Sequence, residues 1–361
     1  MEKIKELVNK ADWNQSLDRI EAWFQGELLD RPPVRFSRHN EEYEKKEITS
    51  KHSSNRERWF DAEYQISNFE KQINGKNFNG ETFPVFWPNL GPDVYAAFYG
   101  WELEFGDVTS WCQHRLIEKD EIRNLSLDWN SPYMRFLKSA TEMALERSGG
   151  RWWVGFTDLH PSIDCVAAWV GQSELCTLLY DNPDVVDDLA GRSCDDFEAV
   201  YNIFYNELTM AGQPSVNWIN IPVKGRFHIA GCDFSAMVSR QHFDHHILPS
   251  IERELQTMDH VIFHVDGPGV ARHIDSLLDQ PSIQAFQWVQ GVGDDLPIMQ
   301  WVEFIKKIQS HGKGVVVDLT TAELDSFMDI VSPQGIYLCV SAANEQEEQW
   351  VLKQISAWRL R

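Results

Sequence analysis

Eight short runs of apolar, β-branched and aromatic residues, set apart by longer stretches of helical period, constrain this chain more than any other feature. The runs are Pro33–Ser37, Phe83–Trp87, Trp152–Thr157 and His228–Phe234, then Val261–Asp266, Ala285–Val289, Val315–Leu319 and Ile336–Ser341. Helical patterns cover Asn55–Ile73, Tyr133–Arg147, Pro183–Met210, His242–Met258, Pro297–Ser310 and Glu345–Trp358. A helix between two strands returns the chain to the same end of a sheet, so the strands pair in parallel. Eight such units predict an α/β protein built as a single (β/α)8 TIM barrel. The later runs recur about every 20 to 35 residues and the earlier ones about every 50 to 75, which puts the insertions in the N-terminal half. An open doubly wound sheet would carry a Gly-rich phosphate loop after its first strand, and none is present. A barrel with insertions accommodates all 361 residues, so one domain over 1–361 is expected, with 1–32 as a helical lead-in.

Charge and cysteine usage narrow the class. Against 33 basic residues stand 55 acidic ones, a net charge of -22. Nucleic acid and anionic membranes both require a basic surface, so neither is an expected partner. No apolar run approaches the ~18 residues of a membrane span, and the N-terminus lacks a signal core. The six cysteines form no CxxC pair, as in a cytoplasmic protein with reduced thiols. Oligomeric state is not legible.

Barrel chemistry sits at the carboxyl ends of the strands. Those ends are polar here: Arg35, Arg38 and His39 at the first, Trp87 and Asn89 at the second, Asp158 and His160 after the third. Asp233 follows the fourth, His264 and Asp266 end the fifth, Gln287 and Trp288 lie on the sixth, Asp318 on the seventh and Cys339 on the eighth. Residues i and i+2 of a strand share a face, so His264 and Asp266 point the same way. With Cys339 they make an acceptable three-ligand zinc set with one open position. Asp266 is equally suited to cap the turn at Gly267, and Cys339 to pack as a small apolar residue. Asp158 and His160 form a candidate acid–base pair, or a loop cap. Trp87, Trp111 and Trp288 are candidates for an aromatic wall that holds a flat or methylated ammonium ligand, or for plugs of the barrel end. His242, His245 and His246 read as a solvated helix face.

The segment Arg19-x-x-Ala22-x-x-x-Gly26-Glu27-x-x-Asp30-Arg31-x-Pro33-Val34 resembles the opening of the uroporphyrinogen decarboxylase family. Asp233-Phe234-Ser235 through Phe243 and Pro249 resembles that family's strand, active-site loop and helix. His264-x-Asp266-Gly267 is similar to the His-x-Cys-Gly of corrinoid-dependent methyltransferases in the same superfamily. Those enzymes, like the cobalamin-independent methionine synthases, hold zinc with that His and Cys and a second Cys on the last strand, the place of Cys339. The resemblance spans nearly the whole chain and itself implies a (β/α)8 barrel. Two departures stand out. Ser37-Arg38-His39-Asn40-Glu41 replaces the Arg-Gln-Ala-Gly-Arg of the decarboxylases, and Asp266 replaces a thiolate with a harder, less electron-donating ligand.

The resemblance implies zinc-dependent methyl transfer to a thiol or corrinoid acceptor, with a corrinoid protein as a possible partner. His264, Asp266 and Cys339 would hold the metal, and Asp158, His160 and Asp233 would orient substrate or move protons. Arg35, Arg38, His39, Trp87, Asn89, Trp288 and Asp318 would contact substrate. The alternative is a metal-free carboxy-lyase in which Arg35 and Arg38 grip carboxylates; a further one is a non-catalytic ligand-binding barrel.

Overall fold

In the computed structural model the described residues are 4–37, 50–117, 119–293 and 296–359. Arg38 and His39 lie outside them. Eight parallel strands form the frame: β1 (Val34–Ser37), β2 (Val85–Phe86), β3 (Trp153–Val154), β4 (Phe227–Gly231), β5 (His260–Asp266), β6 (Ala285–Val289), β7 (Gly314–Thr320) and β8 (Ile336–Ser341). Six of them make one continuous parallel sheet in the order β1-β8-β7-β6-β5-β4, with the first strand against the last. β2 and β3 pair separately.

The expected closed eight-stranded ladder is therefore continuous over six strands. The reason is local. Pro84 and Pro88 bracket β2 and can donate no ladder hydrogen bond. The flanking segments meet their neighbours through isolated bonds, Glu81 N–H to Val34 O of the larger sheet at 2.6 Å and Phe156 N–H to Val216 O at 2.7 Å. Val216 belongs to a small antiparallel pair, Ser215–Val216 with Pro222–Val223, just ahead of β4.

One apolar cluster fills the space enclosed by the strands: Val85, Trp153, Ile229, Ile262, Val316 and Tyr337, one or more from six of them. The helix Trp13–Phe24 closes the cluster from below with Leu17, Ile20, Trp23 and Phe24. Trp23 presses so closely on β7 that a Cβ at Gly314 would lie 2.7 Å from its ring, so only glycine fits there. The opening motif builds the same floor. Glu81, fully buried, accepts from Arg19 at 2.9 Å, from Arg31 at 2.8 Å and from Val34 N–H at 2.7 Å.

The expected helices appear with breaks. Asn55–Ile73 divides into Asn55–Trp59 and Ala62–Ile73, and Pro183–Met210 into Pro183–Asp195 and Phe197–Met210. His242–Met258 becomes Arg240–His242, a π turn over Phe243–Ile247 and Leu248–Leu255. Pro249 has no N–H for an ordinary helical bond, and the wider turn accommodates it. A further helix, Ser162–Val170, follows β3 directly.

Candidate functional site

A cavity of about 1070 Å³ opens at the carboxyl ends of the strands. Its wall includes Asp158 and His160 after β3, Asp233 after β4, His264 on β5 and Trp87 after β2. The strands place these groups by simple alternation. In the register Gly231↔His264↔Gln287↔Val316, His264 and Gln287 share the inner face with Ile262, Val316 and Tyr337 below them.

His264, Asp266 and Asp233 bring one donor atom each within 4.8 Å of one another. His264 Nδ1 donates to Oε1 of Gln287 at 2.9 Å, which leaves Nε2 with its lone pair. The Trp218 ring stands edge-on to the imidazole, centroids 5.2 Å apart. Burial, the Asp164 charge and the nearby Asp266 raise the Asp233 carboxyl to about 6, against the pull of His264 and His160.

Cys339 stands elsewhere. Its Sγ accepts from Arg35 Nε at 2.9 Å, and burial pushes the thiol up to about 12 although Arg35 opposes the shift. Among the described residues the three-group cluster contains Asp233 in place of Cys339. The register sets Cys339 beside Asp318 and Arg35, an inner corner formed by β7, β8 and β1. Arg35 is thus turned to Cys339 and Asp318, and burial raises the Asp318 carboxyl while Arg35 lowers it.

Beside the cluster, His160 Nε2 donates to Asp158 Oδ1 at 2.9 Å. Burial alone would discharge His160, but Asp158, with Asp164 and Asp233 behind it, outweighs burial and raises the imidazole to about 10. Asp164 is held by the helix that starts at Ser162, whose φ of 64° is unusual for a residue with a side chain. Ser162 Oγ shares a hydrogen bond with Ser250 Oγ at 2.5 Å, which ties the turn to Leu248–Leu255. Asp164 accepts the backbone N–H of Asp233 at 3.1 Å and of Phe234 at 3.3 Å, so it orients the loop that carries Asp233.

Several expected contacts fall away from the cavity. Trp288 is fully buried against Trp301 and Phe304, with centroids 4.8 and 4.6 Å away, on the helix side of β6. It neighbours inward-facing Gln287, and alternation sends it outward. Asn89 closes a local turn by accepting Gly91 N–H at 2.7 Å. His246, read as part of a solvated helix face, pairs with Asp187 at 2.9 Å on the outer helices. Trp87 and Trp111 do line the cavity, joined by Trp218, which lies outside every strand run and was not foreseen. Asp164 was likewise missed; its only signal was an acid in the first turn of an apolar helix.

No family model matches the chain, and no curated protein matches it. Among solved structures it is similar to a methyltransferase from Methanosarcina mazei, with a TM-score of 0.64 and 11% identity over 94% of this chain and 98% of that one. A B12-independent methionine synthase from Shewanella sp. W3-18-1, in complex with selenomethionine, aligns with a TM-score of 0.35 and 12% identity over 72% of this chain and 73% of that one. The likeness to the Methanosarcina mazei protein is one of fold, an α/β chain built on a parallel sheet flanked by helices. Among the described residues no helix is long and apolar enough to cross a membrane.

Proposed function

We propose that this chain is a metal-dependent enzyme of methyl-transfer type, with zinc held by Asp233, His264 and Asp266. The observation that carries the reading is the convergence of these three donors at the carboxyl ends of β4 and β5. The donor set fits a divalent cation. Burial first, and then the charges of Asp164 and Asp266, disfavour the ionised Asp233 carboxyl, and a cation would offset both. One imidazole and two carboxylates suit zinc with an open position, and are harder than a thiolate set. The similarly folded Methanosarcina mazei protein is a methyltransferase, which supports the reaction type.

Zinc bound there would lower the pKa of an acceptor thiol and yield the thiolate nucleophile. Gln287 fixes the His264 tautomer, and Asp164 fixes the loop carrying Asp233. His160 keeps its proton at neutral pH, with Asp158 orienting the ring, and so offers a positive N–H to an anionic substrate atom or departing group. A thiol or a corrinoid protein is the acceptor in this reading.

The carboxy-lyase alternative needs cations free to grip carboxylates, and Arg35 faces Cys339 and Asp318 instead. Metal analysis of the purified protein, paired with methyl transfer to a thiol or a corrinoid protein, is the test. About one zinc per chain, and transfer abolished by His264→Ala, is the expected result. Absence of zinc, or turnover of uroporphyrinogen within the usual enzymatic range of about 1 to 1000 per second, overturns it.

A further inference from the structure

The cavity beyond the metal cluster has a charge and a surface that its protein groups leave unbalanced. Asp93 and Glu174 add to Asp158, Asp164 and Asp233 on its wall. Against these acids the wall offers His160, tied to Asp158, and Arg115, whose Nη2 donates to Glu121 at 2.6 Å while its guanidinium lies 4.1 Å from the Trp101 ring centroid. A divalent cation at Asp233 and Asp266 would cancel those two charges, and His160 cancels Asp158. Asp93, Asp164 and Glu174 would still stand on the wall with the metal bound, the first two with carboxyls that burial raises and that a cation nearby would return to the charged form. The same wall carries three tryptophans, Trp87, Trp111 and Trp218, each from a different segment. Among the described residues the one ring pairing any of them makes is that of Trp218 with His264, so their faces are not used up in stacking on each other. Trp218 stands against His264, at the metal cluster, and Trp111 at the rim is 42% exposed.

We infer that this cavity binds an alkylated ammonium compound, its cationic head held by the tryptophan faces and the acids around them. Aromatic faces attract a cation that has lost its water, and alkyl groups on nitrogen make that loss easy. A strongly hydrated inorganic cation would gain little from tryptophan, and an anion would be repelled by the wall. The role of methyl donor rests on the methyl-transfer reading above. In that role the S–C bond forms as the C–N bond breaks, the electron pair leaves with the amine, and a thiolate and an ammonium become a thioether and a neutral amine. Binding itself requires no metal.

The test uses the full chain, zinc-loaded and metal-stripped, titrated calorimetrically with choline and with dimethylbutanol, the uncharged isostere with carbon in place of nitrogen. Choline is expected to bind roughly threefold to thirtyfold tighter than the isostere, in both forms of the protein. Trp111→Leu and Glu174→Gln change partly exposed side chains that hold no part of the proposed metal set, so both variants should fold. Each is expected to shrink the ratio of choline affinity to isostere affinity, Trp111→Leu by weakening choline more than the isostere and Glu174→Gln by weakening choline alone. Equal affinity for the two compounds, failure of choline to bind either form, or a preference unchanged in both variants overturns the inference. Choline preference in a protein that takes no zinc would sink the metal reading alone, and zinc-dependent transfer without choline preference would sink this one alone.

Discussion

Oε1 of Gln287 on β6 accepts a hydrogen bond from Nδ1 of His264 on β5 at 2.9 Å, across a direct register pair. An amide oxygen only accepts, so the ring proton sits on Nδ1 and Nε2 is the atom that would ligate the proposed zinc. Outer partners of this kind commonly contribute 10- to 100-fold to metal affinity. Gln287→Leu is expected to weaken zinc binding about 10- to 100-fold with little loss of fold. Competition against a chromogenic chelator reads the affinity directly, and an unchanged affinity would show that Gln287 does not orient the ligand.

The ligand set itself separates two outcomes. His264→Ala and Asp266→Ala should each reduce zinc from about one per chain to a small fraction of that. Cys339→Ala should leave the zinc content unchanged, because its thiol meets Arg35 and not the cluster. Elemental analysis after exhaustive dialysis decides between them, and zinc lost on Cys339→Ala would restore Cys339 to the ligand set.

The His160–Asp158 pair gives a pH signature. His160 in the folded chain titrates at about 10, against an ordinary value of 6.5. A raised histidine stabilises the fold fully below about pH 6.5, and the contribution disappears as pH rises through about 10. Urea denaturation of the wild type and His160→Gln should therefore differ most at pH 6, on the order of 3 kcal/mol, and converge by pH 10 to 11. A difference that stays constant from pH 6 to 11 would refute the assignment.

Beneath the strands, Glu81→Ala would leave the buried Arg31 guanidinium without its main acceptor and Arg19 held by Asp30 alone. Removing one partner of a buried ionic network costs about 3–5 kcal/mol. The urea midpoint should fall accordingly, whereas a loss under ~1 kcal/mol would mean that water replaces the carboxylate.

The strand runs were legible to different depths. Ala285–Val289 and Ile336–Ser341 appear at their expected bounds, and β5 and β7 differ by a residue at their ends. Such strands are covered on both faces and read as unbroken apolar runs. β2 and β3 shrink to two residues each, because prolines and the insertions around them interrupt pairing that apolar content alone suggests. Trp288 shows a reading that alternation had already made available. With Gln287 facing inward beside His264, its neighbour had to face the helices.

The features readable along the chain are local: the strand runs, six of which join in one parallel sheet, the polar residues at their carboxyl ends, and His264 and Asp266 on one face of β5. Periodicity and i, i+2 spacing carry these, and both are properties of a single segment. The third member of the cluster was a tertiary decision. Asp233 and Cys339 both stand at strand ends, but the loop after β4 folds back over β5 under the hold of Asp164, while β8 lies across the sheet against β1. Which of two distant segments meets a third depends on strand order and register around the sheet, and no spacing along the chain encodes that distance.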